Sequence, residues 1–114
     1  MRRDSMQELI EDRLRSLPDI HVRRMFGGAG IYSEDTMFGI LYKGNIYFKT
    51  NNDTRAAYVD NGMLPFRVRS GTVLTAYYGV PPDILDDDDA FVSWAHRAIS
   101  VALAAPVKRK PRSK

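Results

Sequence analysis

Arg23-Arg24-Met25-Phe26-Gly27-Gly28-Ala29-Gly30-Ile31-Tyr32, continued by Met37-Phe38-Gly39-Ile40-Leu41-Tyr42 and Ile46-Tyr47-Phe48-Lys49, decides the fold. Aromatic and β-branched side chains recur through these runs, and such residues suit a pleated surface. Ser33-Glu34-Asp35-Thr36 and Lys43-Gly44-Asn45 separate them, and connections this short and polar fold one strand back beside the last. The pattern predicts an antiparallel meander of three strands. In the first, read over residues 21–26, Val22, Arg24 and Phe26 take one side while His21, Arg23 and Met25 take the other. Gly27-Gly28 then bends or bulges the chain, because glycine accepts positive φ without a steric cost. Further on, Phe38, Ile40 and Tyr42 alternate with Met37, Gly39 and Leu41, so both faces of that strand are largely apolar. It is expected to be central, covered by helices on one side and by loops or a partner chain on the other.

Upstream, Ser5-Met6-Gln7-Glu8 has the spacing of a capping box, and Met6, Leu9, Ile10, Leu14 and Leu17 recur at helical spacing before Pro18. Downstream, Thr50-Asn51-Asn52-Asp53 offers N-cap residues for a short helix through Val59, closed by Asn61-Gly62 with glycine at C′. Residues 65–68 and 72–78 form a strand pair about Ser70-Gly71, ended by Val80-Pro81-Pro82. Asp86-Asp87-Asp88-Asp89 places negative charge where a helix N-terminus favours it. Ala90, Phe91, Trp94, Ala95, Ala98, Ile99 and Ala102 then make a broad apolar stripe that Pro106 terminates. The fold class is therefore α+β, a two-layer arrangement with an antiparallel β-sheet and helices on one face, in the order α-β-β-β-α-β-β-α.

At 114 residues the chain is one domain, read as residues 1–105 followed by a disordered basic tail over 106–114. Hydrophobic residues at 44% and charged residues at 27% exclude a disordered chain, and no apolar run approaches the roughly 20 residues of a membrane span. The basic N-terminus has no apolar stretch behind it, so no secretory signal is expected. The absence of cysteine excludes disulfide and thiol chemistry and fits a cytoplasmic location. Net charge is +3, but Lys108, Arg109, Lys110, Arg112 and Lys114 supply five of the 17 basic residues, leaving 12 against 14 acidic ones in the body. A basic composition therefore belongs to the tail, and the body makes no composition-level claim on nucleic acid.

No catalytic, cofactor or metal constellation emerges. Gly27, Gly28 and Gly30 lack GxGxxG spacing and lead into a strand, which makes them turn or bulge residues in place of a phosphate loop. There is no Gly-x-Ser-x-Gly elbow. Four successive aspartates on a helix diverge by about 100° per residue and cannot converge on one ion. His21 and His96 have no companion at ligand spacing. Tyr42, Tyr47, Tyr77, Tyr78 and Trp94 read as amphipathic residues of sheet and helix, the alternative being stacking platforms for single-stranded nucleic acid. Arg23 and Arg24 point to opposite faces, so at most one faces the helix layer; both read as structural or solvated charges, the alternative being that the other contacts a partner. The tail pairs two readings, a polyanion contact acting by counterion release and a solubilising terminus.

The segments Arg23-Arg24-Met25-Phe26-Gly27-Gly28, Met37-Phe38-Gly39, Tyr47-Phe48-Lys49-Thr50, Met63-Leu64-Pro65-Phe66, Tyr77-Tyr78-Gly79-Val80-Pro81 and the helix with Trp94-Ala95 resemble the N-terminal domain of the TfoX/Sxy family of bacterial competence regulators. The likeness covers residues 6–103. It implies a two-layer fold similar to type III secretion chaperones. It also implies a role in switching on DNA-uptake genes alongside the cyclic-AMP receptor protein, without catalytic residues or cofactor. Full-length regulators of that family carry a further C-terminal helical domain, and this chain is expected to act as a stand-alone N-terminal module.

The function expected on both grounds is a non-enzymatic regulatory module that binds a protein partner, with the transcription machinery as the candidate class. A nucleic-acid-binding accessory role through the tail is the alternative. The apolar strand over residues 37–42 adds an expectation of homodimerisation. Arg23, Arg24, Lys108, Arg109, Lys110, Arg112 and Lys114 are the candidate contacts.

Overall fold

The computed structural model describes residues 5–25, 27–68 and 71–105. Helix α1 spans Ser5–Arg13, and β1 to β4 follow as Ile20–Met25, Gly28–Ser33, Thr36–Tyr42 and Asn45–Lys49. Helix α2 covers Arg55–Asp60, β5 and β6 cover Pro65–Arg67 and Val73–Gly79, and α3 and α4 cover Pro82–Leu85 and Asp88–Ala104. One six-stranded sheet results, in the spatial order β1-β2-β3-β4-β6-β5, with every pairing antiparallel. The fold is α+β, as expected. The expected tail over 106–114 lies outside the described residues.

The meander has four strands where the sequence reading gave three. Met25 pairs with Gly28, so a two-residue connection closes a true hairpin, and Gly27 supplies the positive φ of +80° that such a connection requires. The β3–β4 turn uses Lys43 and Gly44, both at positive φ (49° and 79°), the signature of a two-residue type I′ connection. Phe38 is the extra residue of a bulge between β2 and β3, which turns its ring into the core.

Local signals fix the helix ends. Asn51 accepts from the backbone N–H groups of Asp53 and Thr54 ahead of α2, and the amides of Gly62 and Met63 return to the carbonyls of Val59 and Tyr58 in a Schellman closure. Asp87 caps α4, its carboxylate accepting from the Ala90 amide at 3.0 Å. Pro82 occupies the first turn of α3, where its missing N–H costs nothing.

All the helices that enter the core do so from one face. Ile10 and Leu14 from the N-terminal segment, Tyr58 from α2 and Phe91, Ala95, Ala98 and Ile99 from α4 pack on Ala29, Ile31, Phe38, Leu41, Ile46 and Phe48. Burial of this set is the main source of stability, at about 25 cal/mol for each Å² of apolar surface removed from water. The opposite face carries a second cluster, in which Ile40, Phe66 and Tyr77 are buried with Met37, Tyr42, Tyr47 and Val68 against them. Phe66 belongs to β5 yet its ring stands 5.2 Å from Tyr42 on β3 and 4.9 Å from Tyr47 on β4. The sheet therefore curls, and its own last hairpin covers part of the second apolar face of β3. At the outer edge of β1, the Val22 amide donates to the Glu11 carboxylate at 3.2 Å in place of another strand.

Candidate functional site

Charge is divided between the two layers. The charged residues of the strands are Arg23, Arg24, Lys49 and Arg67, with no carboxylate among the described strand residues. The four helices hold Glu8, Glu11, Asp12, Asp60, Asp83, Asp88 and Asp89 against Arg13, Arg55 and Arg97. A body with slightly more acid than base thus presents a basic sheet and an acidic roof. Strands of this domain need half-buried side chains, and the long stems of arginine and lysine can lie along apolar surface while the charged heads reach water.

On the sheet face away from the helices, these cations sit on tyrosines. The Arg23 guanidinium lies 5.2 Å from the centre of the Tyr32 ring, and His21 stacks on the same ring at 5.4 Å with only 4° between planes. The Lys49 ammonium stands 5.3 Å from the ring of Tyr77, its cross-strand neighbour. Burial raises the Tyr77 hydroxyl above the ordinary tyrosine range, with the nearby Tyr32 hydroxyl adding to it, and Tyr47 is raised by burial and then by Tyr42. These phenols stay neutral at physiological pH, so the positive charge on this face is not offset by its own hydroxyls. With Arg23 and His21 already against Tyr32, the ring is a seat for cations more than a free platform for a nucleobase.

Arg24 goes elsewhere. It lines a cavity of about 590 Å³ at the end of the sheet, between the first turn of α1 and the tips of the β1–β2 and β3–β4 hairpins. Lys43 lines the same cavity, with Met6, Met25, Ala29 and Leu41 as its apolar wall. The two arginines of the quoted stretch thus serve opposite sides of the sheet, as strand alternation requires. Lys108, Arg109, Lys110, Arg112 and Lys114 lie outside the described residues. Lys43 and Lys49 were not singled out by sequence reasoning, since the turn that places the first and the curl that places the second act over distances that spacing does not reveal.

The remaining ionisable groups have local roles. Asp88 pairs with Arg13 at 2.9 Å, and Asp87 is the N-cap of α4. His21 Nδ1 lies 3.2 Å from the Asp19 carbonyl, and His96 is exposed on α4. No described helix is long and apolar enough to cross a membrane.

The chain belongs to the TfoX N-terminal domain family, whose model matches residues 12–102. Among curated proteins it is similar to the DNA transformation protein TfoX1 of Aliivibrio fischeri, with 28% identity over 74 residues, or 64% of this chain. That alignment covers 35% of the relative, so the chain spans about a third of the length of the protein it matches.

Proposed function

We propose that this chain is a non-enzymatic regulatory module of the competence-regulator type, acting in the cytoplasm by contact with a protein partner. The transcription machinery is the class of partner that the resemblance to competence regulators implies. The observation that supports this reading is the basic, helix-free sheet face around Arg23, Tyr32 and Lys49, set against an acidic helical layer. Such a face selects an acidic partner surface, speeds its approach and repels basic ones. Beyond the cover of Phe66, the half-buried Met25, Tyr32 and Met37 offer apolar contact beside that charge. A second copy, docking its acidic roof there, is one such partner.

The test is affinity capture from a bacterial lysate with R23E/K49E and, as control, D83K/D89K. The reading requires a protein held by wild type and control but lost by the sheet variant. Equal retention by all three sinks it. Light scattering after gel filtration separates a second copy from a different protein.

A nucleic-acid accessory role is the second reading, favoured by the five cations within the last seven residues. Deleting residues 107–114 then abolishes a DNA gel shift whose affinity falls steeply with salt, and unchanged binding removes the tail from the account.

A further inference from the structure

We infer that the cavity at the hairpin end of the sheet binds a small amphipathic anion, a phosphate or carboxylate head carried on a compact apolar body. The cavity lies at the hairpin end of the sheet and shares only Met25 with the sheet face proposed above as the partner surface. At about 590 Å³ it falls within the roughly 300–1,000 Å³ of small-molecule sites. Its chemistry is divided as such a ligand would need. Met25, Ala29 and Leu41 form an apolar wall, while Arg24, Lys43 and Gln7 supply donors and no carboxylate lines it among the described residues. Neither Arg24 nor Lys43 is held in an ion pair among the described residues, so both retain their donors for an incoming anion. The Lys43 ammonium rests 5.5 Å from the Tyr42 ring, a contact that positions it without neutralising it.

The backbone explains why the two cations line one cavity. Both hairpins turn within two residues, so Arg24 at the end of β1 and Lys43 at the β3–β4 tip reach the same end of the sheet. Gly28 permits this approach, because a Cβ there would stand 2.6 Å from the Leu41 carbonyl oxygen. A planar guanidinium beside a flexible ammonium suits an oxyanion head, one giving a two-pronged contact and the other a mobile point charge.

The site is tested by calorimetric titration of the full chain with hexyl phosphate, inorganic phosphate and hexanol, with amide shifts of Ala29, Leu41 and Gly44 followed by NMR. Hexyl phosphate is expected to saturate below about 1 mM and to move those amides, with each single-feature probe at least about tenfold weaker. R24Q and K43Q each weaken binding by on the order of tenfold, the effect of losing one charge-assisted contact. Both side chains are exposed, so the variants keep their thermal midpoints, and R67Q at the far edge leaves affinity unchanged. Absence of saturation, equal binding of hexanol, unaltered affinity in both variants, or binding only to phosphatidic-acid vesicles and not to free hexyl phosphate overturns the assignment.

Discussion

The guanidinium of Arg13 lies 4.4 Å above the ring of Phe91, joining the first helix to the last across 78 positions of sequence. The same group reaches the Asp88 carboxylate at 2.9 Å, but Asp88 is 86% exposed while Arg13 is only 18% exposed. Two interactions thus share one side chain, and burial ranks them. An ion pair with a solvated partner contributes at most about 1 kcal/mol, whereas a cation covering a core ring contributes up to about 2 kcal/mol. Arg13→Ala is expected to destabilise the domain by about 1–2 kcal/mol and Asp88→Ala by about 0.5 kcal/mol or less, measured by urea unfolding. Equal losses would mean that the ion pair, and not the packing, carries the contact.

Phe48 is fully buried between Phe38 at 5.8 Å and Phe91 at 5.7 Å, where strands and last helix meet. Phe48→Ala should cost about 3–5 kcal/mol, a large share of the roughly 5–15 kcal/mol that stabilises an ordinary domain. Phe48→Leu should cost about 1.5 kcal/mol or less, because it keeps most of the volume. Calorimetric midpoints of the two variants check the ordering.

Gly28 and Gly30 are both crowded, but by different atoms. A Cβ at Gly28 meets a backbone oxygen at 2.6 Å, which cannot retreat without moving β3, whereas a Cβ at Gly30 meets the Met37 sulfur at 2.8 Å, the Tyr32 ring edge at 3.0 Å and the Met25 sulfur at 3.3 Å. Side chains can shift more cheaply than a paired strand. Gly28→Ala is expected to cost about 1–3 kcal/mol and Gly30→Ala less than about 1 kcal/mol, read from chemical unfolding of both proteins side by side.

Tyr58 is buried between α2 and α4, its ring 4.8 Å from Trp94, and burial pushes its hydroxyl far above the ordinary value of 10.0, outweighing the opposing charge of Arg97. The folded state therefore keeps this proton where the unfolded state has lost it. Stability associated with Tyr58 is intact below pH 10 and declines as pH rises beyond it, since the unfolded chain then binds fewer protons. Tyr47 and Tyr77 are raised in the same sense. Tyr58→Phe should leave stability at pH 7 nearly unchanged and flatten its fall between about pH 10 and 11.5. Urea midpoints at those values for wild type and variant decide the matter.

Much of this architecture could be read from the chain because its signals are local. The alternation through residues 36–49, the Gly62 closure and the acidic start of α4 all act within a few positions and appear where the residues place them. Gly27 in isolation suggests a bend or bulge, yet apolar residues of strand character stand on both sides of it, which is the pattern of a hairpin. Pro82 marks the end of a strand and also opens the short helix α3, since a proline that ends a strand can begin a helix. What spacing could not reveal was long-range. Nothing near Arg13 announces Asp88, 75 positions away, and nothing near Phe66 announces that it will cover Ile40. The same holds for Arg24 and Lys43, which line one cavity because two turns close at one end of the sheet.

The Glu11 carboxylate that takes up the Val22 amide has a bearing on solubility. A bare outer strand is a template on which a foreign chain can zip, and growth of that kind seeds fibrils. Here the amide is already engaged by a charged side chain that no incoming backbone can follow, and the far border of the sheet is a three-residue strand opening with Pro65. Both margins thus carry features that disfavour elongation by a foreign strand.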